Sequence, residues 1–170
     1  MQMKKNIALV GFMGSGKSAV GKALSRKLGM IFIDLDEAIV EREHRSINDI
    51  FVKEGEPYFR KIEKGVIKEM SQREGLVIAC GGGVVLDKDN MANLKRNGVV
   101  VYLEASPEVI FERTKNYTHR PLLNVDDPKK QIEDILRARI PFYSQADYAI
   151  DTSKSTIDEV VDKILEILRT

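Results

Sequence analysis

The eight residues Gly11-Phe12-Met13-Gly14-Ser15-Gly16-Lys17-Ser18 fit the pattern G-x-x-x-x-G-K-[ST]. They join an apolar run, Ile7 to Val10, to a stretch in which Val20, Leu24 and Leu28 recur at helical spacing. Strand, glycine loop and helix in that order restrict this chain more than any other feature. Such a loop wraps a phosphate chain in backbone N–H groups, with a helix N-terminus pointing at it. Glycines are needed because a Cβ would block the approach or strain the backbone. In this frame Gly14, Ser15, Gly16 and Ala19 belong to the cradle. Lys17 reaches the β- and γ-phosphates, and the Ser18 hydroxyl is a magnesium ligand. The stretch Gly14 to Ala19 also satisfies the looser dinucleotide pattern G-x-G-x-x-[GA], with Asp34 or Asp36 near the distance of a ribose-binding acid. Against that reading, a Lys-Ser pair serves a triphosphate and its metal. A chain of 170 residues is also too short to add a separate catalytic domain to a full dinucleotide fold.

The length suits one domain, residues 1–170, with a substantial core. Lys and Arg number 27 against 26 acidic residues, so no global field draws the chain to nucleic acid or to a membrane. Its apolar runs are far too short for a transmembrane helix, and the one after the polar first six residues is too brief for a secretory leader. Cys80 is the single cysteine, which rules out an internal disulfide and fits a soluble cytoplasmic protein. Strand-like runs fall at Ile7–Val10, Ile31–Ile33, Leu76–Ala79, Val99–Leu103 and Tyr148–Ile150. They are mostly continuous rather than alternating, as in parallel strands covered on both faces. Ser106-Pro107-Glu108 and Asp127-Pro128 read as helix starts between them. In the last helix Ile157, Val160, Val161, Ile164, Leu165 and Leu168 form an apolar stripe. Alternating strands and helices imply a doubly wound α/β sandwich with its ligand at the C-terminal strand ends.

Other positions depart from a core pattern. The polar stretch from Asn116 to Asp127 interrupts helical sequence and holds Arg120, which suggests a phosphate-closing lid over a plain surface loop. Neither N-K-x-D nor D-x-x-G occurs, and the run Leu76–Ala79 leads into Cys80 and three glycines rather than an acid. The magnesium-organising carboxylate is therefore expected at Asp34 or Asp36, where one acid can face metal and the other a substrate hydroxyl. Helix capping, with Asp36 before Ala38-Ile39, is the alternative. After Pro57 the apolar positions Phe59, Ile62, Val66, Ile67 and Met70 leave Glu63 on the inward face, with Arg60 three residues before it. After Pro128 the stripe Ile132, Ile135, Leu136, Ile140 turns Arg139 inward, and Pro141 is expected to end or bend the helix nearby. Inward arginines need anions. Arg60, Arg139 and the bare N–H groups of Gly81-Gly82-Gly83 therefore point to a pocket for a small carboxylate. A structural Arg60–Glu63 ion pair is the competing account.

In this order the phosphate loop, Asp34-x-Asp36, Phe59-Arg60-x-x-Glu63, Gly81–Gly83, Arg120-Pro121-Leu122-Leu123 and Arg139-x-x-x-Tyr143 closely resemble the shikimate kinases, over nearly the whole chain. The resemblance implies a P-loop NTPase-type three-layer sandwich with a five-stranded parallel sheet in the order 2-3-1-4-5 and a mobile lid over about residues 115–127. It also implies ATP-dependent phosphorylation of the 3-hydroxyl of shikimate, in aromatic amino-acid biosynthesis, by a monomer using Mg2+. Matched residue by residue, Lys17, Asp36 and Arg120 are the catalytic set, with Asp36 the candidate acceptor of the reacting proton. Ser18 and Asp34 lie at the metal, and Arg113 lies beneath the adenine. Arg60 and Arg139 clamp the substrate carboxylate, Glu63 orients Arg60, and the glycine run contacts substrate through its backbone. Phe51 and Phe59 form the apolar side of a substrate subregion spanning about residues 34–62. Cys80 departs from the Ser or Thr of many relatives and weakens any hydroxyl link to the metal's water shell. The alternatives are a kinase for another small metabolite and a nucleotide-dependent switch without turnover.

Overall fold

Five parallel strands lie in the spatial order β2-β3-β1-β4-β5: β1 (Asn6–Val10), β2 (Ile31–Asp34), β3 (Leu76–Ala79), β4 (Gly98–Glu104) and β5 (Tyr148–Asp151). The computed structural model describes residues 5–117 and 123–170. The order matches the one implied by the resemblance. Each strand start lies within one residue of the apolar run that marks it, and β2, β4 and β5 also take in an acid at their C-terminal ends.

Strand β1 pairs on both edges, with β3 and β4, and all five of its residues are buried. Its side chains alternate between two cores. Ile7 and Leu9 pack with Val20 and Leu24 of α1 (Lys17–Leu28) and with Val160, Val161 and Ile164 of α8 (Ile157–Arg169). Ala8 and Val10 face the larger core. There they meet α2 (Leu35–Glu43), α3 (Ile47–Glu54), α4 (Glu56–Ser71), α5 (Lys88–Arg96), α6 (Pro107–Thr114) and α7 (Pro128–Tyr143). The edge strands depart from the continuous-burial pattern: Ile31 and Tyr148 are exposed. Among the described residues, no helix is long and apolar enough to cross a membrane.

Helix starts follow the capping chemistry of the sequence. Ser106 and Asp127 each accept from a backbone N–H in the first turn, and Thr156 with Glu159 forms a full capping box on α8. Two expectations are corrected. The cap of α2 is Asp34, which accepts from the N–H groups of Asp36 and Glu37, so Asp36 stands inside the first turn. Ile157 is exposed because it opens α8 before that helix settles on the sheet, and Ile140 is exposed near the end of α7. Helix α7 ends at Tyr143, one turn past Arg139, with Pro141 in its last turn, where the missing donor costs one bond.

Asn6 links the sheet to the β3 approach. Its side chain donates to the Arg73 carbonyl at 2.7 Å and accepts from the Leu76 N–H at 3.0 Å, fully buried. Leucine at this position strands both backbone groups. Asn6→Leu is expected to lower stability by about 1–3 kcal/mol, read as a lower urea midpoint with an unchanged slope.

Candidate active site

The C-terminal ends of β1, β2 and β3 open on a cleft of about 290 Å3, floored by the loop that follows β1 and walled by Asp34, Asp36, Cys80, Gly81 and Gly82, with Tyr117 beside them. Gly14 and Gly16 adopt positive φ, 78° and 93°, which is why the loop takes glycine there. A Cβ on Gly14 would also stand 2.7 Å from the Thr114 methyl group. Lys17 donates to the carbonyls of Gly11 at 2.7 Å and Phe12 at 2.9 Å, so its ammonium is folded across the loop it would share with a phosphate. Ala19 follows on the first turn of α1 and lines the same cleft.

The two aspartates face different groups. Asp34 uses one oxygen to cap α2 and the other to accept from the Ser18 hydroxyl at 2.9 Å. Asp36 turns toward the glycine run, with Oδ1 3.4 Å from where a Gly81 Cβ would stand. A facing hydroxyl and carboxylate at the loop mouth suit Mg2+, which keeps several waters and takes phosphate oxygens as ligands. Among the described residues no group of three or more His, Cys, Asp or Glu side chains could hold a metal alone. Such an ion would therefore depend on the nucleotide for part of its coordination.

Both inward arginines reach the glycine run. Arg60 packs its guanidinium on Gly83, where a Cβ would meet Nη1 at 2.6 Å, and Arg139 lies against Gly82, with Nη1 3.1 Å from the corresponding position. Arg60 donates to Glu63 Oε1 at 2.9 Å and to Glu56 at 3.3 Å, and stands over the Phe59 ring. Arg139 stands over the Phe12 ring. Glu63 is 1% exposed, and its Oε2 has no hydrogen-bond partner among the described groups. Burial pushes its carboxyl above the ordinary range, only partly offset by Arg60 and Arg139. Its contribution to stability is therefore fully present below the unfolded-state pKa and lost as pH rises through the folded one. Phe59 is buried and Phe51 half-exposed, with ring centroids 4.7 Å apart.

Arg113 is half-buried and donates to the carbonyls of Gly14 at 3.0 Å and Thr152 at 3.1 Å, tying the phosphate loop to the turn after β5. Thr152 completes that knot by donating to Glu104 at 3.0 Å and lying 3.3 Å from the Ser15 carbonyl. Sequence reasoning missed Thr152, since its partners lie 48 and 137 residues away and no local pattern marks it. It also missed the bond from the Tyr143 hydroxyl to the Gly82 carbonyl, 2.8 Å, although the four-residue offset from Arg139 placed both on one helical face. Arg120, with the centre of the expected lid, lies outside the described residues.

The family model for shikimate kinase matches residues 13–169. A shikimate kinase of Thermodesulfovibrio yellowstonii is 49% identical over 162 residues, covering 95% of this chain and 94% of its own length. One from Caldanaerobacter subterraneus subsp. tengcongensis is 47% identical, with 95% and 94% covered. Among solved structures, the shikimate kinase from Acinetobacter baumannii in complex with shikimate superposes with a TM-score of 0.93 at 40% identity, over 97% of this chain and 93% of that one. The Aquifex aeolicus shikimate kinase gives 0.85 at 41%, over 96% of each.

Cys80 is 2% exposed, and burial raises its thiol to about 12. At pH 8 only about one such thiol in ten thousand is ionised, so a disulfide reagent should leave the native protein unlabelled and modify one thiol per chain in urea. Rapid labelling of the folded protein would contradict this burial.

Proposed function

The chain belongs to the shikimate kinase family, and from that premise we propose how its own residues transfer the γ-phosphoryl group of ATP to the 3-hydroxyl of shikimate, giving shikimate 3-phosphate and ADP. The observation that carries the reading is the meeting of Arg60 and Arg139 on adjacent glycines of one turn, beside Asp36 and close to the start of the phosphate loop. Two guanidinium groups on neighbouring residues match a single carboxylate.

In this reading the shikimate carboxylate lies between Arg60 and Arg139, with Glu63 and Glu56 fixing the first of them. Phe51 and Phe59 give the ring an apolar wall. The run Gly81, Gly82 and Gly83 offers its backbone N–H groups to substrate, and side chains at 82 and 83 would crowd Arg139 and Arg60, while one at 81 would crowd Glu63 and Asp36. Asp36 orients the attacking hydroxyl and takes its proton as the bond to phosphorus forms. Loop amides from Gly14 to Ser18 hold the phosphates, and Lys17 exchanges its carbonyl partners for the β- and γ-phosphate oxygens. Mg2+, where bound by Ser18 and Asp34, supplies charge neutralisation at the phosphoryl oxygens. Arg113, fixed to Gly14 and Thr152, lies on the side assigned to adenine, and Arg120 closes from the lid. Catalysis is then mainly positioning and preorganised charge, in a site closed against water. The enzyme is placed as a monomer in the cytoplasm, where ATP is available.

Coupled detection of ADP should show turnover that depends on shikimate; no stimulation would favour another small-metabolite acceptor. Arg139→Ala is expected to raise the shikimate KM about a hundredfold with the ATP KM within about twofold, because one charge-assisted contact is lost from one ligand only. Equal losses for both ligands contradict the clamp. Gly83→Ala displaces only the far end of Arg60. It should weaken shikimate binding about tenfold in calorimetry while leaving the melting temperature within a degree or so.

A further inference from the structure

The two clamp arginines are steadied differently. Arg60 has carboxylates on both sides, whereas Arg139 forms no ion pair among the described residues. Its surroundings are the face of Phe12, the backbone of Gly82 and the hydroxyl of Tyr143. Tyr143 follows Arg139 by one turn of α7 and is fully buried, its ring stacked on Tyr102 at 4.7 Å and 10°. Its hydroxyl donates to the Gly82 carbonyl at 2.8 Å, and the Arg139 guanidinium packs against that same glycine, close enough for its charge to act on the phenol. One phenol therefore fixes the glycine on which the second arginine rests.

We propose that Tyr143 is the positioning residue for Arg139, its hydroxyl holding the Gly82 carbonyl so that the glycine the guanidinium packs against, and with it the carboxylate clamp, is set before substrate arrives. The inference rests on the shikimate kinase reading above. Burial pushes the phenol above its ordinary value and Arg139 only partly offsets this, so the proton needed for the bond to Gly82 stays in place. A phenol serves here where a carboxylate would not. A buried acid here would partly cancel the positive charge offered to the ligand. The hydroxyl orients the guanidinium without neutralising it.

Tyr143→Phe tests this, since phenylalanine keeps the ring stack and removes only the bond to Gly82. The shikimate KM is expected to rise about tenfold, as the support under Arg139 is released, with the ATP KM within about twofold and the melting temperature close to wild type. In an Arg139→Ala background the same change should add nothing to the shikimate KM, because the group it positions is gone. An unchanged shikimate KM in Tyr143→Phe overturns the proposal. So do equal penalties in both backgrounds, or parallel rises in both KM values with a lower melting temperature. A wild type that releases no ADP in response to shikimate overturns the underlying reading and this inference with it. Normal wild-type turnover with a silent Tyr143→Phe overturns this inference alone.

Discussion

Strand β1 is hydrogen-bonded along both edges and covered on both faces, and this enclosure decides where chemistry can occur. A strand with no solvent face needs helices above and below the sheet, and parallel neighbours must return through them. Both faces being filled, the backbone groups left over at the C-terminal strand ends are the ones available to a ligand. The glycine loop after β1 and the glycine run after β3 occupy adjacent strand ends for that reason, with Asp34 closing β2 beside them.

Charge within the cleft is divided among its walls. Lys17 stands at the loop, Arg60 and Arg139 at the glycine run, Asp34 beside Ser18 and Asp36 beside Gly81. In the proposed reading the cations hold two anions, and the carboxylates stand where a metal ion and a reacting hydroxyl meet. The sorting depends on contacts that leave no room for larger groups. Glycine at 83 lets Arg60 lie on the backbone, and glycine at 82 does the same for Arg139. Desolvation of Glu63 is the cost of fixing Arg60 from inside the core rather than from solvent.

Much of this was legible before any coordinates. Apolar runs marked all five strands, Ser106 and Asp127 marked two helix starts, and Glu63 on an inward stripe marked the site by its incongruity. Those signals are local, with periods of a few residues or a cap at a fixed offset. Errors arose where local pattern and packing diverge. Ile140 and Ile157 continue apolar stripes but lie at helix ends that overhang the core. Asp36 looked like a possible cap, yet Asp34 took that role because the chain leaves β2 in extended conformation at that residue.

The sequence by itself determined the alternation of strand and helix, the phosphate loop, and the presence of two arginines and an acid that a core cannot hold unpaired. Periodicity, capping and the cost of burying charge operate over short stretches of chain, so they can be read along it. Only the tertiary structure decided that Arg60 and Arg139, 79 positions apart, share one glycine turn, that Asp34 faces Ser18 while Asp36 faces Gly81, and that Thr152 and Tyr143 reach the backbone of Ser15 and of Gly82. Those contacts join strand ends and helices brought together by sheet order, and sheet order comes from packing the whole chain at once.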